Sequence, residues 1–248
     1  VAPPDPSPPQ SGRIVQRGAG YYTQDVTPYQ NDGVPSRVGC GSTEESLTLP
    51  LKGEVELGLS DDMINQVLYG AWRGGLLEFV VPPELAGSEA VISNSFVASG
   101  MLAPTASDCQ SGGELLAHIG DLRFDADLVV LDKPMTFTAY MTMLVRLEIT
   151  AEGQSVGIGI PEIVDIKTEL TANEDNMIDA EEFIAQQLEE GISGQILDAL
   201  GGDGLGGIML PEIDLSANLG LPPGTATLTM TAEGANHESG TTVITAHF

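Results

Sequence analysis

The stretch Val55–Phe79, VELGLSDDMINQVLYGAWRGGLLEF, holds a change of period that decides the fold. Leu47, Leu49 and Leu51, then Val55, Leu57 and Leu59, alternate with other residues, which is the period of a half-buried strand. At Ser60 the period changes. Ser60 is a good N-cap, Asp61 and Asp62 complement the positive end of a helix dipole, and Met63, Ile64, Val67, Leu68, Ala71 and Trp72 form one apolar stripe. Gly74 and Gly75 end that helix.

On the N-terminal side, the chain reads differently. Val1–Gln10 is rich in proline and small or polar residues, as in an extended tether. Residues 11–46 stay rich in Gly, Pro, Asn and Asp, so 1–46 is expected to be a linker and irregular arm, with 47–248 as the folded domain. The chain begins without Met or a signal peptide, as a trimmed or processed chain would. Cys40 and Cys109 are the only cysteines; an isolated pair suits one disulfide in an oxidising compartment, with two unpaired thiols as the alternative.

On the C-terminal side, residues 76–170 are rich in β-branched residues and alternate repeatedly, as in Phe137 to Leu147, so long antiparallel strands are expected. Asp179 with Glu182 forms a capping box for a second helix through Phe183, Ile184, Leu188, Ile192, Ile196, Leu197 and Leu200, ending at Gly201 and Gly202. Two strands close the chain, around residues 226–232 and 241–248. Strand, helix, many strands, helix, strands is the order of an α+β fold in which a highly curved antiparallel sheet rolls around two amphipathic helices.

The segment Gly58-Leu59-Ser60-Asp61-Asp62-Met63-Ile64-Asn65, with the exit Gly75-Leu76-Leu77-Glu78-Phe79, resembles the strand-to-first-helix passage of the carboxy-terminal barrel in the family of bactericidal/permeability-increasing protein and its lipid-transfer relatives. The element order from 47 to 248 is similar to a tubular lipid-binding (TULIP) domain as well, although motif-level similarity spans only about twenty residues, by the spacing argument for short motifs. The resemblance implies non-catalytic lipid binding or transport in a groove between helices and sheet. It points to Met63, Val67, Leu68, Ala71 and Trp72 on the first helix, Phe183, Leu188, Ile192 and Ile196 on the second, and Phe137, Met141 and Met143 on the sheet as lining. A phospholipid, fatty acid or other apolar ligand is the implied partner, with no cofactor beyond that bound lipid. The simpler reading of every such stripe is a core that packs against itself.

Charge sets limits on partners. The 36 acidic against 9 basic residues give a net charge of −27, which repels nucleic-acid phosphates and anionic headgroups, so nucleic acid is excluded as a partner and the lipopolysaccharide neutralisation of the cationic family members is not carried over. No run reaches the ~20 apolar residues of a membrane helix. The expected place is secreted or periplasmic, with a preceding domain, or a tether to a membrane-anchored partner, left open. The competing class is an acidic structural or adhesive surface domain with a filled interior that takes calcium.

Two motifs could carry other chemistry. Gly153-Gln154-Ser155-Val156-Gly157 matches a serine-hydrolase elbow, with His118, His237 and His247 as formal partners, yet Ile158-Gly159-Ile160-Pro161 cannot begin the helix such an elbow needs; a hairpin turn fits better, and no enzyme is expected. Asn173, Asp175, Asp179 and Glu182 fall at oxygen-ligand positions of an EF-hand-like loop, but Thr171 stands in place of the first Asp and Asn176 in place of the turn glycine. A turn before a capped helix explains them as well. The pairs Glu44-Glu45, Glu181-Glu182 and Glu189-Glu190 read as a solvated face.

Overall fold

The computed structural model describes residues 26–30, 55–81, 96–108, 114–130, 133–172, 207–210, 212–238 and 240–248, together with 185, 186, 189, 193, 194 and 197. Among these residues the strands are β1 (Val55–Ser60), β2 (Glu78–Val81), β3 (Phe96–Gly100), β4 (Thr105–Ser107), β5 (Leu116–Val130), β6 (Lys133–Glu152), β7 (Ser155–Ala172), β8 (Gly207–Met209), β9 (Ile213–Asp214), β10 (Thr227–Leu228), β11 (Thr231–Glu238) and β12 (Thr241–His247), with one complete helix, α1 (Asp61–Arg73). All pairings between strands are antiparallel.

The expected curved sheet divides into three ladders. The largest runs β2-β3-β5-β6-β7-β8 with β4 also on β5, a second is β1-β12-β11, and β9 pairs β10. Among the described residues a bridge, Gly153 to Ala232, joins the β6–β7 turn to β11. At a rise of about 3.3 Å per residue the 20 residues of β6 span roughly 65 Å, so this hairpin forms the long axis of the sheet.

Bulges keep its apolar face turned inward. In β5 Ala117 and Ile119 are buried, and then, past a bulge carrying Asp121 at φ 48°, the phase switches so that Leu122 and Phe124 are buried. Without that extra residue the second half would turn its apolar side to solvent. The Asp121 carbonyl, displaced by the bulge, accepts the Met101 amide at 3.1 Å. β6 needs no such correction: Phe137, Ala139, Met141, Met143, Val145 and Leu147 are buried and the intervening residues are not.

α1 forms where its caps demand. The Ser60 hydroxyl accepts the Met63 amide at 3.4 Å, Arg73 lies in the last turn, and Gly75 at φ 88° makes the left-handed exit, where the Leu76 amide reaches back to the Ala71 carbonyl at 3.0 Å. Ile64, Leu68 and Trp72, spaced by four, sink into a core with Leu77, Leu122, Phe124, Met141 and Met143. A second cluster, with Val156, Leu210, Met230, Ala232, Ile244 and Ala246, lies under the β1-β12-β11 ladder, and Ile149 touches both.

Of the two closing strands, β12 lies where the sequence pattern places it, and the one before it begins later than that pattern suggests. Thr227–Leu228 is only a short strand, and the Gly- and Asn-containing Thr231–Glu238 is the strand that pairs β12, because a bulge between Ala232 and Gly234 lets that weak former follow its partner. Within the span read as a second helix, Ala185, Gln186, Glu189, Ser193, Gly194 and Leu197 are helical, and the Ser193 hydroxyl donates to the Glu189 carbonyl.

Candidate functional site

The residues expected to line a groove separate into two groups. Leu68, Trp72, Phe137, Met141 and Met143 are buried together in one cluster between α1 and the sheet, whereas Met63, Val67 and Ala71 are half-buried. Phe183, Leu188, Ile192 and Ile196 lie outside the described residues, as do Cys40, Cys109, Asn173, Asp175, Asp179 and Glu182.

Polar groups fix α1 on this face. The Trp72 indole donates to the Gly100 carbonyl at 2.6 Å. Asn65, fully buried, accepts the Ala106 amide at 2.6 Å and donates to the Ala106 carbonyl at 3.1 Å, so its side chain substitutes for a neighbouring strand on β4. Asn65 belongs to the motif that carries the family resemblance, and its work here is architectural.

The inner face does not stop where α1 covers it. Ile163 lies opposite Val145, Ile166 opposite Met143 and Leu170 opposite Ala139, so these three β7 residues extend the buried β6 row on the same face. They are half-buried where the β6 row is closed, and helical Leu197 packs against the same cluster. An apolar strip of this kind, floored by two methionines, offers adaptable area to a chain-like apolar ligand. On the opposite face a cavity of about 250 Å³ is lined by Thr105, Ser107, Leu116, His118, Thr142, Leu144, Asp165 and Lys167, a mixed polar wall that does not suit an acyl chain.

The hydrolase-like motif resolves into a turn. Glu152 pairs Ser155 across Gly153 and Gln154, Gly153 has the positive φ of 59° that the first central position of a tight hairpin favours, and the Ser155 hydroxyl bonds the Glu152 carbonyl at 3.3 Å.

A polar cluster that the sequence reading did not assemble lies where α1 begins. His237 on β11 places Nε2 3.7 Å from Asp61 Oδ1 and 3.7 Å from Asp108 Oδ2, and the His237, Asp61 and Asp108 side chains are 11%, 2% and 9% exposed. Burial, reinforced by the Asp108 charge, pushes the Asp61 carboxyl up to about 7, while burial holds the His237 imidazole below its ordinary value against the pull of Asp108. Asp61 reads in sequence as a helix-dipole partner like Asp62. Its burial depends on the turn between β11 and β12, whose Gly240 carbonyl accepts the Asp61 amide at 3.1 Å. No local pattern signals that contact.

No protein-family model matches the chain, and no curated protein matches it. Among solved structures, the crystal structure of lipopolysaccharide binding protein is similar with a TM-score of 0.40 and 11% identity, covering 81% of this chain and 45% of that one. The chain thus spans less than half the length of that protein.

Proposed function

We propose that this chain binds a lipid or similar apolar ligand without catalysis, along the half-open margin of β7, outside the cytoplasm. The observation that carries the reading is the inner face itself: the apolar row of β6 continues onto half-buried Ile163, Ile166 and Leu170, beside helical Leu197. Each methylene that leaves water there contributes about 0.8 kcal/mol, so an acyl chain gains affinity without a polar anchor. The residues Gly58–Asn65 and Gly75–Phe79, similar to the lipid-transfer family, support the same reading. The acidic surface favours neutral or zwitterionic lipids and single acyl chains over anionic headgroups.

The test is native mass spectrometry of gently purified protein, followed by solvent extraction and lipid analysis. A stoichiometric lipid is expected, with occupancy falling on Ile166→Trp or Leu170→Trp, which fill the strip, and unchanged on Val164→Thr, an exposed position on the same strand. Protein that is empty and ignores an offered panel of phospholipids, fatty acids and sterols would overturn the proposal. The close packing of Trp72, Met141 and Met143 would then favour a structural or adhesive domain.

A further inference from the structure

The Asp61, Asp108 and His237 cluster draws on three segments far apart in sequence: the first residue of α1, the residue after β4, and the last turn-ward part of β11. Each contributes one donor atom, and these atoms all lie within 4.8 Å of one another. Asp61 is the anomaly among them. Its side chain is 2% exposed, and no hydrogen bond of good geometry reaches either carboxylate oxygen; the nearby Asp108 backbone offsets its burial only in part. An ionised carboxylate in that position costs several kcal/mol unless something cationic sits against it.

The neighbours are arranged to receive a cation. His237 Nδ1 lies 2.9 Å from the hydroxyl of fully buried Thr242, so the ring is held with Nε2, itself without a well-formed hydrogen bond, facing the two carboxylates. With the Nδ1 proton donated to Thr242, Nε2 presents a lone pair toward anionic oxygen, an arrangement that repels itself until a positive charge enters. The Gly240 amide donates to Asp108 Oδ2 at 2.7 Å and steadies that carboxylate, as outer hydrogen bonds steady metal ligands. A single proton bridges at most two of the three groups. A divalent ion engages one atom of each of the three side chains.

We propose that Asp61, Asp108 and His237 form a buried binding site for a divalent transition-metal ion of the zinc type, which fastens the start of α1 to β4 and to the β11–β12 turn. The donor set selects the class of metal. One imidazole nitrogen and two carboxylate oxygens suit zinc, whereas calcium takes six to eight oxygens. Around a tetrahedral zinc with bonds of about 2.0–2.1 Å, neighbouring ligand atoms stand roughly 3.3 Å apart. The two 3.7 Å separations from His237 need only a few tenths of an ångström of closure, and the two carboxylate atoms, within 4.8 Å of each other, at most about 1.5 Å. The role is structural because the ion ties together the α1 start, the large sheet through β4, and the β1-β12-β11 ladder, with a water as the fourth ligand.

The experiment uses the full chain, stripped with chelator and then titrated with ZnCl2, with CaCl2 in parallel. Thermal unfolding is followed by the fluorescence of Trp72, the sole tryptophan. One equivalent of zinc is expected to raise the Tm by roughly 5–10 °C, and calcium at the same concentration to leave it unchanged. His237→Gln and Asp61→Asn should each fold and lose the zinc response at least tenfold in the concentration required. A wild-type Tm that ignores zinc, or a zinc response that survives both substitutions, overturns the site. Stabilisation of the stripped protein by Asp61→Asn, with wild type indifferent to zinc, identifies a proton-sharing cluster instead and equally overturns it.

Discussion

Replacing Asn65 by leucine keeps the volume of the side chain and deletes its hydrogen-bonding amide. Ala106 is 1% exposed, and its amide and carbonyl turn away from β5 toward Asn65, at 2.6 and 3.1 Å. Asn65→Leu therefore strands one buried donor and one buried acceptor, each costing about 1–3 kcal/mol, for a total of about 2–6 kcal/mol before any gain in apolar contact. Domains of this kind have only about 5–15 kcal/mol of stability, so the loss is a large fraction of the whole. Urea unfolding read by Trp72, seven residues on along the same helix, measures it. With an m value of about 2–3 kcal/mol/M, a loss of about 4 kcal/mol moves the midpoint by roughly 1.5 M. Asn65→Asp provides the control: it retains the acceptor for the Ala106 amide but sets an oxygen against the Ala106 carbonyl, so it should be as destabilised at pH 7 and recover part of the loss in acid, where the carboxyl carries a proton. An Asn65→Leu variant that unfolds within about 1 kcal/mol of wild type, at the low edge of the cost of a single stranded group, would refute the claim that this side chain stands in for a strand.

Two further outcomes follow from local geometry. Gly75→Ala places a methyl at positive φ and 2.7 Å from Val26, so the variant should lose about 1–3 kcal/mol in the same urea assay, and a neutral result would show that the Val26 contact is not held in solution. The Ser216 side chain, together with the Ser216 amide at 2.8 Å and the Gly224 amide at 3.0 Å, donates to Asp214 and holds its carboxyl below the ordinary value. Because its folded-state pKa is depressed, its contribution to stability is present above the unfolded value and lost as pH falls through the folded one. Carboxyl NMR should show Asp214 titrating at lower pH than a typical aspartate, and Asp214→Ala should speed exchange of the Gly224 amide; an ordinary titration would sink the assignment.

How legible each part was depended on how local its cause is. α1 was readable to the residue, because its cap, its dipole partners, its four-residue apolar spacing and its glycine exit all lie within 55–79 and each acts through neighbours in the chain. The β6 strand was equally plain, since alternation from Phe137 to Leu147 is the direct imprint of a half-buried pleat. The β5 pattern was harder, because the bulge at Asp121 changes its phase halfway, and a periodicity broken in the middle looks like no periodicity. Thr231–Glu238 lies later than the pattern at 226–232 suggests for a different reason: its Gly and Asn residues favour no strand by themselves, and the partner strand β12 supplies the order.

What the sequence determined by itself was the bounds of α1, the antiparallel strands of the middle, the inward face of β6, and the sign of the net charge, all of which follow from periodicity and composition. The tertiary structure alone decided which parts of that apolar face close and which stay half-open. It also decided that Asp61, one of two adjacent aspartates with the same local role, is buried against Asp108 and His237 while Asp62 is half-buried. The reason is physical. Helix and strand formation depends on contacts a few residues apart, whereas the surroundings of Asp61 are set by strand register across residues 61, 108 and 237, and a one-residue slip in β11 would turn His237 to the opposite face.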